Sequence, residues 1–255
     1  MSAVLETGGV SVSFGGVRAL VDVDLEVPEG QLVGLIGPNG AGKTTFIDAI
    51  SGFVSCRGRV ALDGRDLTSL APHARARFGL ARTWQSIELF DDLTVRENLA
   101  VAAHRPSLWS SIKEVVWHPV ESVAAADDAL RRLGLASLED AMPSDLSQGQ
   151  RKLVGVARAV AAQPRLICLD EPAAGLDTRE SRELGARLRA VVDGGTPMLL
   201  VDHDMGLVLS ISDYVVVLEF GKVIAEGKPD EVRGDPKVIE AYLGSAAGEL
   251  ATEAS

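Results

Sequence analysis

Few segments limit what a chain can fold into as strongly as Gly37-Pro38-Asn39-Gly40-Ala41-Gly42-Lys43-Thr44. Its glycines let the backbone curl so that successive N–H groups aim at one anion, and the lysine and threonine that follow bring a cation and a hydroxyl to the same place. The flanks agree with the spacing. An apolar strand, Leu32 to Ile36, runs in, and a helix, Lys43 to Ser51, runs out, so the helix N-terminus adds its partial positive charge to the anion site. The pattern predicts a phosphate-binding loop. In such a loop Lys43 would reach the β- and γ-phosphates of a nucleotide, the Thr44 hydroxyl would ligate Mg²⁺, and Thr45 would support the α-phosphate side. A Gly-rich turn with a solvated lysine is the bland alternative, and the full spacing with both flanks argues against it.

The 255 residues suffice for one large α/β domain, or for a core that carries a smaller insertion. With 46% apolar and 24% charged residues, the chain has the means to bury a sizeable core. A formal charge of −11 argues against nucleic acid as a main partner, because proteins that hold nucleic acid present a basic face to its phosphates. Cys56 and Cys168 are too few for a disulfide framework. Cys168 also sits inside the apolar run Leu166-Ile167-Cys168-Leu169, so a buried free thiol in a reducing, cytoplasmic setting is expected. The first residues, Met1 to Val10, include Glu6 and lack the basic-then-apolar order of a secretion signal. No apolar run approaches the roughly 20 residues that span a bilayer. Any membrane role must come through a partner.

Strand-like runs at Val10 to Phe14, Val21 to Val27, Gln31 to Ile36 and Arg59 to Leu62 are punctuated by Gly-Gly, Pro-Glu-Gly and Asp-Gly, which predicts a β-rich opening. Later strands, Leu166 to Leu169 and Met198 to Val201, alternate with helices and predict an α/β fold with a parallel sheet. From Thr94 to Ala162 no strand pattern occurs, and apolar residues over Val123 to Leu135 and Leu153 to Ala161 recur at helical spacing. This stretch is expected to be a helical insertion, and the tail after Leu243 to be frayed or disordered.

Leu166-Ile167-Cys168-Leu169-Asp170-Glu171 is an apolar strand ending in two acids, at the carboxyl edge of a parallel sheet where ligands bind. Asp170 can hold Mg²⁺ directly or through water, while Glu171 can orient an attacking water or take its proton. Solvated acids opening a loop at Pro172 are the alternative. Loop and acids together still describe many nucleotide enzymes, small-molecule kinases included.

Leu146-Ser147-Gln148-Gly149-Gln150 precedes a helix running through Arg151 to Ala162. Ser147 and Gln150 stand at capping-box spacing, and alone they read as a helix start. Lying between the phosphate loop and Asp170-Glu171, the segment resembles the Leu-Ser-Gly-Gly-Gln signature of the ATP-binding cassette (ABC) family, with Gln148 in place of the commonest third residue. The resemblance covers nearly the whole chain. It implies a P-loop NTPase core with a mostly parallel sheet, an N-terminal antiparallel β subdomain and an inserted α-helical subdomain. It further implies one domain over residues 1–243, with the core at 1–84 and 163–243 and the helical part with the signature helix at 85–162.

Several roles follow from the resemblance. The helix start at Ser147, Gly149 and Gln150 would bind the γ-phosphate of ATP held by a second subunit. Gln85 falls where the family joins core to helical subdomain, and would sense Mg²⁺ and the attacking water. His203, after the strand Met198 to Val201, matches the histidine that contacts the γ-phosphate. Asp177, in Ala174-Gly175-Leu176-Asp177, matches the loop that crosses the dimer interface, and with Glu180 it can also cap the next helix. Phe14 takes the place of the aromatic that stacks on adenine. The implied cofactors are ATP and Mg²⁺.

Further segments resemble one subgroup, the ATP-binding subunit of branched-chain amino acid importers. They include Phe14-Gly15-Gly16, Ala81-Arg82-Thr83, Val201-Asp202-His203-Asp204-Met205 and Ile239-Glu240-Ala241-Tyr242-Leu243-Gly244. Val54-Ser55-Cys56-Arg57-Gly58 and the Trp109 to Trp117 stretch depart from it. The subgroup implies transmembrane permease subunits, a second ATP-binding subunit and, indirectly, a substrate-binding protein, at the inner face of the cell membrane. A lipopolysaccharide-export ATPase has a similar plan. A small-molecule kinase would leave Ser147, Gly149, Gln150 and His203 unexplained, and a chromosome-maintenance ATPase needs a long coiled coil for which the Lys43 to Ser147 interval has no room.

Overall fold

Alternation along four short strands sets a sheet between two cores. In β3 (Leu32–Ile36), β7 (Leu166–Asp170), β8 (Met198–Val201) and β9 (Tyr214–Glu219), successive side chains point to opposite faces. Leu32, Ile167, Leu200 and Val217 enter one core, and Val33, Cys168, Leu199 and Val216 enter the other. A sheet covered on both faces needs near-continuous apolar runs, which is why these strands are legible in the sequence. The computed structural model describes residues 2–83, 88–103 and 120–243. Trp84, Gln85, the Trp109 to Trp117 stretch and the expected tail after Leu243 lie outside the described residues.

The six-stranded sheet has the order β10-β9-β3-β8-β7-β6, with β6 (Leu80–Arg82) and β10 (Lys222–Gly227) at its edges. Strands β9, β3, β8, β7 and β6 run parallel, and β10 pairs antiparallel with β9. At three residues, β6 is too short to carry a periodic signal.

A second, antiparallel sheet of order β2-β1-β4-β5 is built from β1 (Ala3–Phe14), β2 (Val17–Pro28), β4 (Arg57–Leu62) and β5 (Arg65–Asp66). Strands β1 and β2 each begin earlier than their apolar runs suggest. The β1–β2 register shifts between Thr7 and Val10, across Gly8-Gly9, so alternation breaks there while pairing continues.

The core between the two sheets is closed by α1 (Lys43–Ser51), which buries Phe46, Ile47 and Ile50. Beside it, α2 (Pro72–Arg77) contributes the buried Arg75. Its guanidinium donates to the carbonyl oxygens of Ala49, Ile50, Leu70 and Thr68, and so satisfies acceptors at the end of α1.

Between β6 and β7, every regular element among the described residues is helical: α3 (Val95–Ala103), α4 (Val120–Arg132) and α5 (Gln148–Ala161), with short 3₁₀ turns. These helices pack on one another, and their apolar faces join the second core together with α6 (Thr178–Asp193) and α7 (Met205–Ile211). The chain continues through α8 (Pro229–Arg233) and a helix over residues 236–243. Among the described residues no helix is long and apolar enough to cross a membrane.

Candidate nucleotide-binding site

The phosphate loop leaves β3 at its carboxyl end, squeezed between β9 and β2. Gly37 has φ +150°, and a Cβ there would lie 2.1 Å from the Leu218 carbonyl oxygen. Gly42 has φ +106°, and its Cβ would lie 2.8 Å from the Ala19 carbonyl oxygen. Only glycine fits either place. Gly42 is also the N-cap of α1, and no side chain caps that helix, so its first N–H groups are oriented for an anion.

Lys43 is buried, and its Nζ donates to the carbonyl oxygens of Gly37 at 2.7 Å and Pro38 at 3.0 Å. Burial lowers its pKa, while the Glu171, Asp170 and Asp202 carboxylates work in the opposite direction. Thr44 is exposed and Thr45 half-buried on the first turn of α1.

The parallel register brings the carboxyl ends of β3, β7 and β8 to one edge. Asp170, the last residue of β7, is buried and accepts from Arg82 Nη2 at 3.0 Å through Oδ2. Burial raises its pKa, and the Arg82 guanidinium opposes that rise. The next residue, Glu171, is tethered by its N–H to the Val201 carbonyl oxygen at 2.7 Å. Its φ of +48° is left-handed, a conformation that costs a non-glycine residue about 1 kcal/mol or more and collects at functional sites.

His203 Nδ1 lies 3.9 Å from Glu171 Oε2 and 3.5 Å from Asp202 Oδ1. Asp202 is fully buried and accepts from the backbone N–H groups of Ala173 and Asp204, each at 3.0 Å. It fastens the loop after Glu171 to the loop that carries His203. The bond to the Asp204 N–H is local, but the one to the Ala173 N–H has no sequence signal, because a carboxylate that binds distant backbone follows no local pattern.

Mg²⁺ is usually held by one or two carboxylates together with phosphate oxygens and water. Asp170 offers a buried, oriented carboxylate and Thr44 an exposed hydroxyl, a donor set of that kind. No cluster of three His, Cys, Asp or Glu side chains suited to a metal exists among the described residues, and an ion shared with phosphates needs none.

At the signature, Ser147 Oγ accepts from the Gln150 N–H at 3.2 Å and Gln150 Oε1 accepts from the Ser147 N–H at 2.8 Å, a complete capping box on α5. A Cβ on Gly149 would come 3.1 Å from Glu180 Oε1, and one on Gly175 would come 2.9 Å from Gln148 Nε2. The signature therefore lies against the Ala174 to Asp177 loop of its own chain. Asp177 Oδ1 accepts from the Arg179 and Glu180 N–H groups, each at 2.8 Å, and caps α6. Phe14, at the end of β1, is 51% exposed and belongs to neither core. Gln85 falls outside the described residues.

The sequence profile described as ABC transporter matches residues 20–174, and that described as branched-chain amino acid ATP-binding cassette transporter matches residues 222–248. The chain is 39% identical over 253 residues to the high-affinity branched-chain amino acid transport ATP-binding protein BraF of Pseudomonas aeruginosa, covering 95% of this chain and 98% of that protein. It is 38% identical over 251 residues to the corresponding protein LivG of Escherichia coli, with the same coverage. Among solved structures, the ADP conformation of MJ1267, an ATP-binding cassette of an ABC transporter, superposes with a TM-score of 0.85 at 33% identity, covering 96% of this chain and 100% of that one. On fold, site and sequence together, the chain belongs to the ABC transporter family, in the group of branched-chain amino acid transport ATP-binding proteins.

Proposed function

We propose that this chain hydrolyses ATP to drive the import of branched-chain or related amino acids through permease subunits on other chains. The carrying observation is that Lys43, the adjacent acids Asp170 and Glu171, and His203, from three separate stretches of the sequence, meet at the carboxyl edge of the parallel strands. The loop N–H groups and Lys43 would hold the β- and γ-phosphates, with Phe14 stacked on adenine. Thr44, Asp170 and Gln85 would hold Mg²⁺, which when bound neutralises charge on the phosphates.

Glu171 would orient the attacking water or take its proton, and His203 would contact the γ-phosphate. Ser147, Gly149 and Gln150 would close over ATP held by a second ATP-binding subunit, identical or paralogous, while Asp177 crosses between the two. The helical stretch, residues 85–162, would pass this closure to the permease, with the assembly at the inner face of the cell membrane and a substrate-binding protein on the far side.

Replacing Glu171→Gln tests the chemistry. Steady-state ATP hydrolysis should fall by about 100-fold or more, nucleotide binding should survive, and ATP should convert the variant to a dimer in sedimentation. Undiminished hydrolysis would remove Glu171 from the role of base.

A further inference from the structure

We propose that Arg82 is a positioning residue for the metal carboxylate, gripping Asp170 Oδ2 while Asp48 anchors the guanidinium from the opposite side. The inference rests on the reading of Asp170 as the Mg²⁺ carboxylate. Arg82 ends β6, which runs parallel to β7 with Arg82 in register with Cys168, so its side chain reaches the end of β7. Nη2 donates to Asp170 Oδ2 at 3.0 Å and Nη1 to Asp48 Oδ1 at 2.6 Å. The Arg82 and Asp170 side chains are each 7% exposed. Asp48 stands on α1, the helix that opens with Lys43 and Thr44, so the bridge joins the phosphate-loop helix to the strand-end acid.

A guanidinium is a planar fork, and with both arms engaged on fixed partners it cannot swing. Buried ion triads are poor sources of net stability, because desolvation offsets the Coulomb gain. What this one supplies is geometry. It sets the plane of the Asp170 carboxylate and leaves Oδ1 as the oxygen to coordinate an ion that demands near-ideal octahedral placement. Asp48 also balances the Arg82 charge, so that Asp170 is oriented without net positive charge being added beside the metal.

The test titrates Mg²⁺ against binding of a fluorescent ADP analogue to the full chain, with binding in EDTA measured in parallel. The double variant Arg82→Met with Asp48→Asn removes one charge of each sign and so isolates orientation from net charge. It should raise the Mg²⁺ concentration for half-saturation by about tenfold, a typical effect of losing a group that orients a ligand, and leave binding in EDTA unchanged. Arg82→Lys, which keeps the charge but cannot bridge both acids, should give a smaller shift in the same direction, and decides the matter if the double variant does not fold.

Wild-type Mg²⁺ dependence in a folded Arg82 variant overturns the proposal. So does an equal loss of binding with and without Mg²⁺, which would mark a general prop of the loop. Asp170→Asn is the control: if it leaves the Mg²⁺ dependence unchanged, the metal assignment itself falls, and this inference falls with it.

Discussion

At the scale of single residues, the site is a set of groups whose surroundings decide what they can do. Asp170 and Glu171 are adjacent acids with different environments: Asp170 is buried and paired with Arg82, while Glu171 sits on left-handed backbone beside His203. Burial acts in the same way on the thiol of Cys168, which lies on a covered face of β7 and is pushed up to about 12, whereas Cys56, also raised by burial, is only partly covered. A thiol near pKa 12 carries almost no thiolate at neutral pH, and the thiolate is the reactive form. A maleimide at neutral pH should therefore label Cys56 in the native protein and reach Cys168 only after denaturation. Native labelling of Cys168, read by mass spectrometry of peptides, would contradict its place in the core.

At the scale of elements, the N-terminus of α5 has one job that its hydrogen bonds show and one that is proposed. Ser147 caps the helix through the Gln150 N–H, and the same helix start is proposed to meet the γ-phosphate on a second subunit. Ser147→Ala should cost about 0.5–2 kcal/mol of stability in urea unfolding. Ser147→Asp separates the capping from the proposed anion contact, since aspartate caps as well as serine but carries a negative charge where the proposed phosphate would approach. It should unfold like the wild type and lose most of its hydrolysis. An active Ser147→Asp variant would show that the helix start has no anion to meet. Capping is legible in the sequence because it is local: Ser147 with Gln150, and Asp177 with Glu180, are each three residues apart.

At the scale of the whole molecule, two cores hold one sheet so that its carboxyl edge brings together the phosphate loop, the β7 acids and His203. If the chain energises amino acid import, a strain lacking it should lose uptake of leucine, isoleucine and valine. Restoring the chain should return that uptake, and restoring Glu171→Gln should not. Uptake that continues unaltered in the deletion strain would remove the importer reading and leave the ATPase standing.

The phosphate loop, the strand-end acids, the central strands of the sheet and the helix caps are legible in the amino-acid order alone. Each depends on a short pattern: glycine where φ is positive, alternation in a doubly covered strand, a capping pair at fixed spacing. That Arg82 bridges Asp48 and Asp170, that Asp202 fastens two loops, and that Gly37 is pressed against Leu218 emerge only in the folded chain. Those contacts join residues from different elements, and the geometry that creates them exists only once the strands have found their neighbours in the sheet.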